Sequence, residues 1–485
     1  MTTVLLDVLR TGLGWMFVVY TALTASHFVI QLWYAHRTHR RFASAEFRAA
    51  FPDYPVSVDV LIPVYNEDPE LLARCIRSAL RQDHVAPVRV IVVDDGSPNR
   101  ASLDPVYDAV EREGATVIRR PMNAGKRHAQ AAGLDACTSE IVVTLDSDSV
   151  LEPDAVRKIT RQFADERIGA VTGFVDVENH RRNALTRVQR IRYWMAFNQE
   201  RAAQSWFRTV LCCSGPLSAY RRSLLLVVRE SYVTQSYGGV ACTFGDDRHL
   251  TNLILAAGYD SVYDEGAIAW THVPETWPQF LRQQLRWSKS FFRELVWTAP
   301  FIARRPWYSR FDLTCQVAMP FILPLTTSVA LVLGVHDDPA HVVKFVALIA
   351  LVAALRATYG ALRHRDVRFY WFVVYGFISA FVLVPIRFRA LWTLTDARWG
   401  TRGLSKAIQQ AASAASTGVA GGLALAPAGA AGASTVDPAP GRERPEDRSS
   451  AGPDLSSSAG RVRSGSASAA GRPSRDTRRT SERTS

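Results

Sequence analysis

The chain of 485 residues has no C-x-x-C pair, no G-x-x-x-x-G-K-[ST] loop and no well-placed G-x-G-x-x-G turn. Each absence removes a class. Without either glycine-rich phosphate loop, a kinase, an ATPase or a dehydrogenase is disfavoured. Six cysteines (Cys75, Cys137, Cys212, Cys213, Cys242 and Cys315) lie scattered, which excludes a disulfide framework and predicts reduced, cytosolic thiols. The N-terminus lacks a basic n-region and a usable A-x-A site, so no cleaved signal peptide is expected. The net charge of +12 is not gathered on a reading helix or an aromatic-studded stripe, so no nucleic-acid partner is expected. Much of it flanks apolar segments instead, as suits the anionic inner surface of a membrane.

What is present begins with those segments. Residues 12–35 carry no formal charge and are long enough to cross a hydrocarbon core about 30 Å thick. His27 within them is expected to face a neighbouring helix as a neutral side chain. "HRTHRR" (His36 to Arg41) follows, and basic residues stay inside, so residues 1–41 form a helix and basic flank with the next domain in the cytosol. In the C-terminal membrane region (311–403), residues 313–335 should run outward and 342–362 back inward. Residues 369–385 have arginines at both ends, which predicts a re-entrant or interfacial segment. The expectation is a multi-pass protein of the cell membrane with three crossings in a lipid bilayer. Residues 407–485, rich in Ala, Gly, Ser, Pro and Arg, should be a disordered tail.

Between residues 55 and 275, short apolar runs alternate with helical patterns. The fold class this implies is α/β, Rossmann-like, with a mostly parallel sheet buried on both faces. Ligands then bind at the carboxyl ends of the strands. Those ends carry Tyr65, Asn66 and Glu67, then Asp94 and Asp95, then Asp146 and Asp148. "DSD" (146–148) sets two carboxylates on one side of an extended segment, a donor set for Mg²⁺ or Mn²⁺ completed by substrate phosphates. Lysine is scarce here, and Lys126 with Arg127 opens a helix where N–H groups and cations suit a diphosphate. An ordinary exposed helix start is the alternative. "GDDRHLTN" (245–252) places Asp246, Asp247 and Arg248 at another helix start, which acids favour in any case. Residues 276–300 have apolar and aromatic positions at helical spacing with cations between, as in a helix lying in the membrane surface.

"VDVLIPVYNED" (58–68), "VVDDGS" (92–97), "DSD", "GDDRHLTN" and "QQLRW" (283–287) stand in one order. Together they resemble the processive, inverting family 2 glycosyltransferases with a GT-A domain, over residues 55 to about 403. Within them, "CCSGPLSAYRR" (212–222), "RWSKSFFRE" (286–294) and "WGTR" (399–402) look most like hyaluronan synthases. The resemblance implies UDP-GlcNAc and UDP-GlcA as donors and a growing polysaccharide as acceptor. It implies Asp247 as base, oriented by Asp246 and Arg248, with His249 structural. UDP-sugar would be held by Tyr65, Glu67, Asp95, Lys126, Arg127, Asp146, Gln283 and Arg286, and the metal by Asp146 and Asp148. Ser214, Gly215, Pro216 and Trp287 would hold the acceptor. Trp399, Gly400, Thr401 and Arg402 would form a mobile loop over the donor. The polymer would leave through a passage between membrane helices, completed by the re-entrant segment or by a second protomer in a homo-oligomer. Hyaluronan synthases commonly have two N-terminal membrane helices where this chain has one. That departure keeps open a nodulation-type chitin-oligosaccharide synthase and, in a different class, an inactive membrane scaffold that binds nucleotide or polysaccharide.

Overall fold

A computed structural model describes residues 2–396 of the chain. The expectations for 399–402 and for the tail 407–485 lie outside the described residues.

The catalytic-sized domain is built on an eight-stranded sheet in the order β3-β2-β1-β4-β7-β6-β10-β5. Its strands are β1 (Val58–Val64), β2 (Val88–Asp94), β3 (Thr116–Arg119), β4 (Ile141–Thr144), β5 (Ser149–Leu151), β6 (Ile168–Val177), β7 (Ser218–Arg221) and β10 (Asp260–Thr271). A two-stranded ribbon, β8 (Ser236–Tyr237) with β9 (Val240–Ala241), stands apart. Every residue of β1 is buried, as a near-continuous apolar run demands when helices cover both faces. On one face Ile62 packs with Leu72, Ile76 and Tyr107; on the other Leu61 packs with Ala129, Leu134 and Ile254. Each such aliphatic side chain contributes about 1.5–3 kcal/mol by leaving water. The sheet is mixed where β7 runs antiparallel between β4 and β6, and where β5 runs antiparallel to β10. The α/β, mostly parallel fold class expected above is what forms, and the acid-bearing ends of β1, β2 and β4 lie together.

The N-terminal helix is longer than its apolar stretch, running from Thr2 to Ala43. The basic flank belongs to it and seats it on the domain: Thr38 Oγ1 donates to the Ala202 carbonyl at 2.8 Å, and His39 bonds Glu265 and the Asn198 carbonyl. His27 faces the neighbouring helix as expected, but with a carboxylate partner, Asp312 Oδ1, 2.7 Å away.

Among the described residues four helical segments are long and apolar enough to cross a membrane: Arg10–Ala43, Trp307–His336, Ala340–His364 and Val367–Trp392. The last contains the expected 369–385 within a continuous helical run of 26 residues, loosened by a π-helical turn over Ile378–Leu383. Its two ends contact the domain side of the molecule. Phe369 packs edge-on against Trp194 at 4.9 Å, and Lys289 Nζ reaches Asp396 Oδ2 at 3.2 Å. The amphipathic segment expected over 276–300 is the helix Trp277–Ile302.

Candidate active site

Glycine at 215 shows how closely the donor end is packed. A Cβ there would lie 2.7 Å from Asp146 Oδ2, so the backbone after "CCS" can approach that carboxylate only without a side chain. Asp146 also takes Lys126 Nζ at 2.7 Å, and the same ammonium reaches Asp246 Oδ2 at 2.8 Å. Burial works against the charged lysine, yet the two carboxylates hold its pKa well above the ordinary value. Asp95 accepts from the Gly125 N–H at 2.7 Å and from the Ala124 N–H, and Arg120 pairs with it. Burial nevertheless leaves its carboxyl above the usual range. Tyr65 is half-buried beside Asn66, whose positive φ of 52° turns the chain out of β1. Glu67 is buried and accepts from Ser147 Oγ at 2.7 Å, which ties the end of β1 to "DSD".

Asp146 and Asp148 both face one cavity, but no three His, Cys, Asp or Glu side chains among the described residues form a ready-made metal cage. Two carboxylates with room beside them fit a hard divalent ion that takes its remaining ligands from diphosphate oxygens and water. The residues present fit such an ion. The sequence reading missed His272. Antiparallel pairing sets Thr271 opposite Ser149, so His272 comes next to the Asp148 end of β5, and it too lines the cavity.

Asp247 begins the helix Asp246–Ala256, entered through Gly245 at φ +81°. Among the described residues its carboxylate has no side-chain hydrogen bond to Asp246 or Arg248, although both line the same cavity and their charges act on it. Successive helical residues point about 100° apart, and the three side chains diverge. Asp246 goes to Lys126, while Arg248 lies over the Phe291 ring at 5.4 Å. What Asp247 does meet is the Arg248 N–H at 2.8 Å and the Cys212 thiol at 3.5 Å. Burial and then the Asp247 charge push that thiol up to about 12, so it is a donor and not a thiolate. Burial and the adjacent Asp246 raise the pKa of Asp247, whereas Lys126 outweighs burial to lower that of Asp246. Neighbouring carboxyls whose pKa values are pushed in opposite directions mark a candidate functional site.

Arg127 departs from its expected place on a diphosphate. It is buried, and its guanidinium donates to the carbonyls of Tyr232 and Phe244 at 3.2 and 3.4 Å. One residue further along the helix than Lys126, it turns inward. Ser214, Gly215, Pro216, Gln283, Arg286 and Trp287 all line the cavity with Asp146 and Asp247. Ser214 Oγ takes Arg201 Nη2 at 2.8 Å, and the exposed Trp287 ring lies 6.3 Å from Tyr193.

The cavity, about 1240 Å³, does not stop at the domain. It continues between the membrane helices, where Tyr20, His27, Asp312, Arg356, Tyr375 and Arg387 line it. There Arg192 and Arg356 share one carboxylate, Glu200, at 3.0 and 3.4 Å. Of these inner groups only His27 was singled out from the sequence, and as a neutral helix-facing side chain rather than part of a cavity. An arginine within the apolar run 342–362 is the signal that points to them, since charge at that depth marks a functional cavity.

Residues 55–290 match the model of the family described as Glycosyltransferase like family 2. An N-acetylglucosaminyltransferase of Sinorhizobium fredii is 36% identical over 401 residues, covering 82% of this chain and 96% of that protein. One of Neorhizobium galegae is 38% identical over 351 residues, covering 72% and 80%. Among solved structures, a mannosyltransferase of Pyrobaculum calidifontis in complex with GDP-Man and Mn²⁺ superposes with a TM-score of 0.53 at 23% identity, covering 76% of this chain and 99% of that one. The last likeness is one of fold.

Proposed function

The chain belongs to glycosyltransferase family 2, and from that premise we propose that it transfers N-acetylglucosamine from UDP-GlcNAc, with inversion, to the growing end of a β-1,4-linked chain. The names of its relatives support this sugar ahead of the hyaluronan first suggested by sequence resemblance. The observation that carries the reading is one cavity holding Asp247, the pair Asp146 and Asp148, and Trp287, open toward the membrane helices.

In the reaction the acceptor hydroxyl oxygen attacks the anomeric carbon, its proton passes to Asp247, and the bond to UDP breaks. Loss of a positioned base of this kind costs about 10²- to 10⁴-fold. Asp146 and Asp148 would hold Mg²⁺ or Mn²⁺, which neutralises charge on the departing diphosphate. Lys126 stands beside them to do the same once nucleotide displaces its carboxylates. Tyr65 would stack on uracil, with Glu67 and Asp95 fixing the nucleoside turn. Trp287 would lie under the acceptor sugar, with Gln283 one turn before it and Arg286 next to it in the chain. The continuation of the cavity supports export of the chain, and a single protomer suffices to line it.

The basic residues at the end of the first helix, His36 to Arg41, support a cytosolic position for the domain. Both ends of Val367–Trp392 meet the domain side, which supports three crossings with that run re-entrant. External labelling of a cysteine introduced at Ser405 in intact cells would overturn this.

A second reading, hyaluronan, draws support from the inner cavity, where Arg192, Arg356 and Arg387 outnumber the carboxylates Glu200 and Asp312 and suit a polymer that carries carboxylates. Omission of one donor at a time separates the readings. Polymer made from UDP-GlcNAc alone is expected. A strict need for UDP-GlcA as well supports hyaluronan, and absence of UDP release with either donor in the presence of metal overturns both.

A further inference from the structure

The helix Trp277–Ile302 does two things at once. Gln283, Arg286 and Trp287 enter the cavity, while Ser290, Glu294 and Thr298, spaced four apart on one stripe, turn to the helix that carries Asp247. The two helices touch closely at their crossing: a Cβ on Gly245 would lie 2.1 Å from Ser290 Oγ. Deeper in, the Glu294 carboxylate is 3% exposed and is bonded from three directions. His249 Nδ1 lies 3.2 Å away, Asn252 Nδ2 donates at 3.0 Å, and Gln235 donates from the ribbon's edge. Trp297 closes the cluster edge-on against His249 at 5.3 Å. Neither His249 nor Glu294 lines the cavity.

We propose that His249 and Glu294 are positioning residues that fix the base against the acceptor platform, so that the donor sugar goes to the chain and not to water. The proposal rests on the transfer reading above. His249 is two residues past Asp247, and Glu294 is two helical turns past Trp287, so the pair joins the two halves of the reacting geometry directly. An apolar contact between these helices would be at least as stable, because burying a carboxylate has a desolvation cost that good bonds only offset. What the bonded carboxylate adds is one register: an apolar helix interface tolerates sliding, whereas three donors converging on Glu294 do not. Burial alone would raise the Glu294 carboxyl, but the bonds from His249, Asn252 and Gln235 hold it below the usual range, so Glu294 keeps its charge at neutral pH.

The consequence concerns partition. Attack by an acceptor hydroxyl needs the sugar on Trp287 and the base on Asp247 at a fixed separation, and misplacement by about 1 Å costs on the order of 10²-fold. Water attacking the same anomeric carbon gives up its proton to Asp247 and releases UDP, but it needs no platform. A loosened strut therefore slows transfer more than hydrolysis.

The experiment compares wild type, His249→Ala, Glu294→Ala and Glu294→Gln in membranes with UDP-GlcNAc and metal. It reads sugar incorporated, UDP released and donor affinity. The alanine variants are expected to lose incorporation by about 10- to 100-fold with donor affinity unchanged, and to release several times more UDP per sugar incorporated. Glu294→Gln, which keeps an oxygen toward Asn252 and the same shape, should recover most of the coupling. UDP release and incorporation falling in equal proportion would overturn the proposal, as would no change in either. If the alanine variants do not accumulate, Asn252→Ala is read the same way, and an unchanged ratio there overturns it. Wild type that incorporates no N-acetylglucosamine sinks the proposed function instead, since every ratio is referred to it.

Discussion

At the nucleotide end of the cavity Lys126 is answered by two carboxylates, Asp146 and Asp246, whereas toward the membrane helices three arginines, Arg192, Arg356 and Arg387, line the cavity with two acids, Glu200 and the Asp312 that His27 holds. The first arrangement is closed on itself until a ligand arrives. An incoming diphosphate and its metal exchange one set of charge pairs for another, so little field has to be rebuilt during the reaction. The second carries cation in excess. Uncompensated charge in a low-dielectric bundle is costly, and it persists where water or a polar chain passes. The two ends therefore make different demands: chemistry needs compensation, and passage needs hydrogen-bonding walls that do not hold their cargo.

The strongest blow to the nucleotide end is Asp247→Asn. Transfer should fall about 10²- to 10⁴-fold, with UDP-GlcNAc binding nearly intact by calorimetry. Turnover near wild type would remove Asp247 as the base. Asp148→Ala should follow, at about 10²-fold, because a divalent ion supplies several kcal/mol at the leaving group. Here the loss should appear in metal-dependent donor affinity. Equal affinity with and without Mg²⁺ or Mn²⁺ in wild type would end the metal reading of residues 146–148.

At the membrane end the comparison predicts an asymmetry of stability. Glu200→Gln leaves Arg192 and Arg356 without their carboxylate and should destabilise by about 1–3 kcal/mol, less than a fully buried pair because cavity water screens it. Arg387→Gln removes one of the excess cations and should leave the melting temperature in detergent unchanged or raised. Equal drops for the two variants would mean that the cluster is balanced after all.

The two ends also differed in how far the sequence disclosed them. The nucleotide end is made at the tips of β1, β2 and β4, where an apolar run and its terminal acid are adjacent in the chain, so Glu67, Asp95, Asp146 and Asp148 could be read locally. What was not legible there is the direction of side chains within single helices. Arg127 beside Lys126, and Arg248 beside Asp247, looked equivalent in sequence but point in different directions once each residue turns by about 100°. His272 and Cys212 were missed because antiparallel pairing and a loop bring them in from distant positions. The membrane end had one local signature, Arg356 within an apolar run; Tyr20, Arg192, Arg356 and Arg387 come from four helices, and only their packing makes a site.

The smallest expected effect tests how tightly compensation at the nucleotide end is tuned. Asp247 titrates above the ordinary carboxylate range because burial and the charge of Asp246 both disfavour its ionised form, while Lys126 favours it. The rate should therefore rise with pH through this raised pKa, where the base loses its proton, and fall below it. Asp246→Asn deletes the repelling charge and leaves Lys126 with Asp146 alone, so both changes favour the ionised base. The acidic limb of log kcat/KM should then move to lower pH, a shift of under about one unit being typical of a single neighbouring charge near a cavity open to water. The limb belongs to the coupled pair in wild type and to Asp247 alone in the variant, so it should also become a simple one-proton titration. A limb that stays in place would show that burial alone sets the base, and a limb that moves to higher pH would show that Asp246 has served chiefly to hold Lys126 near Asp247.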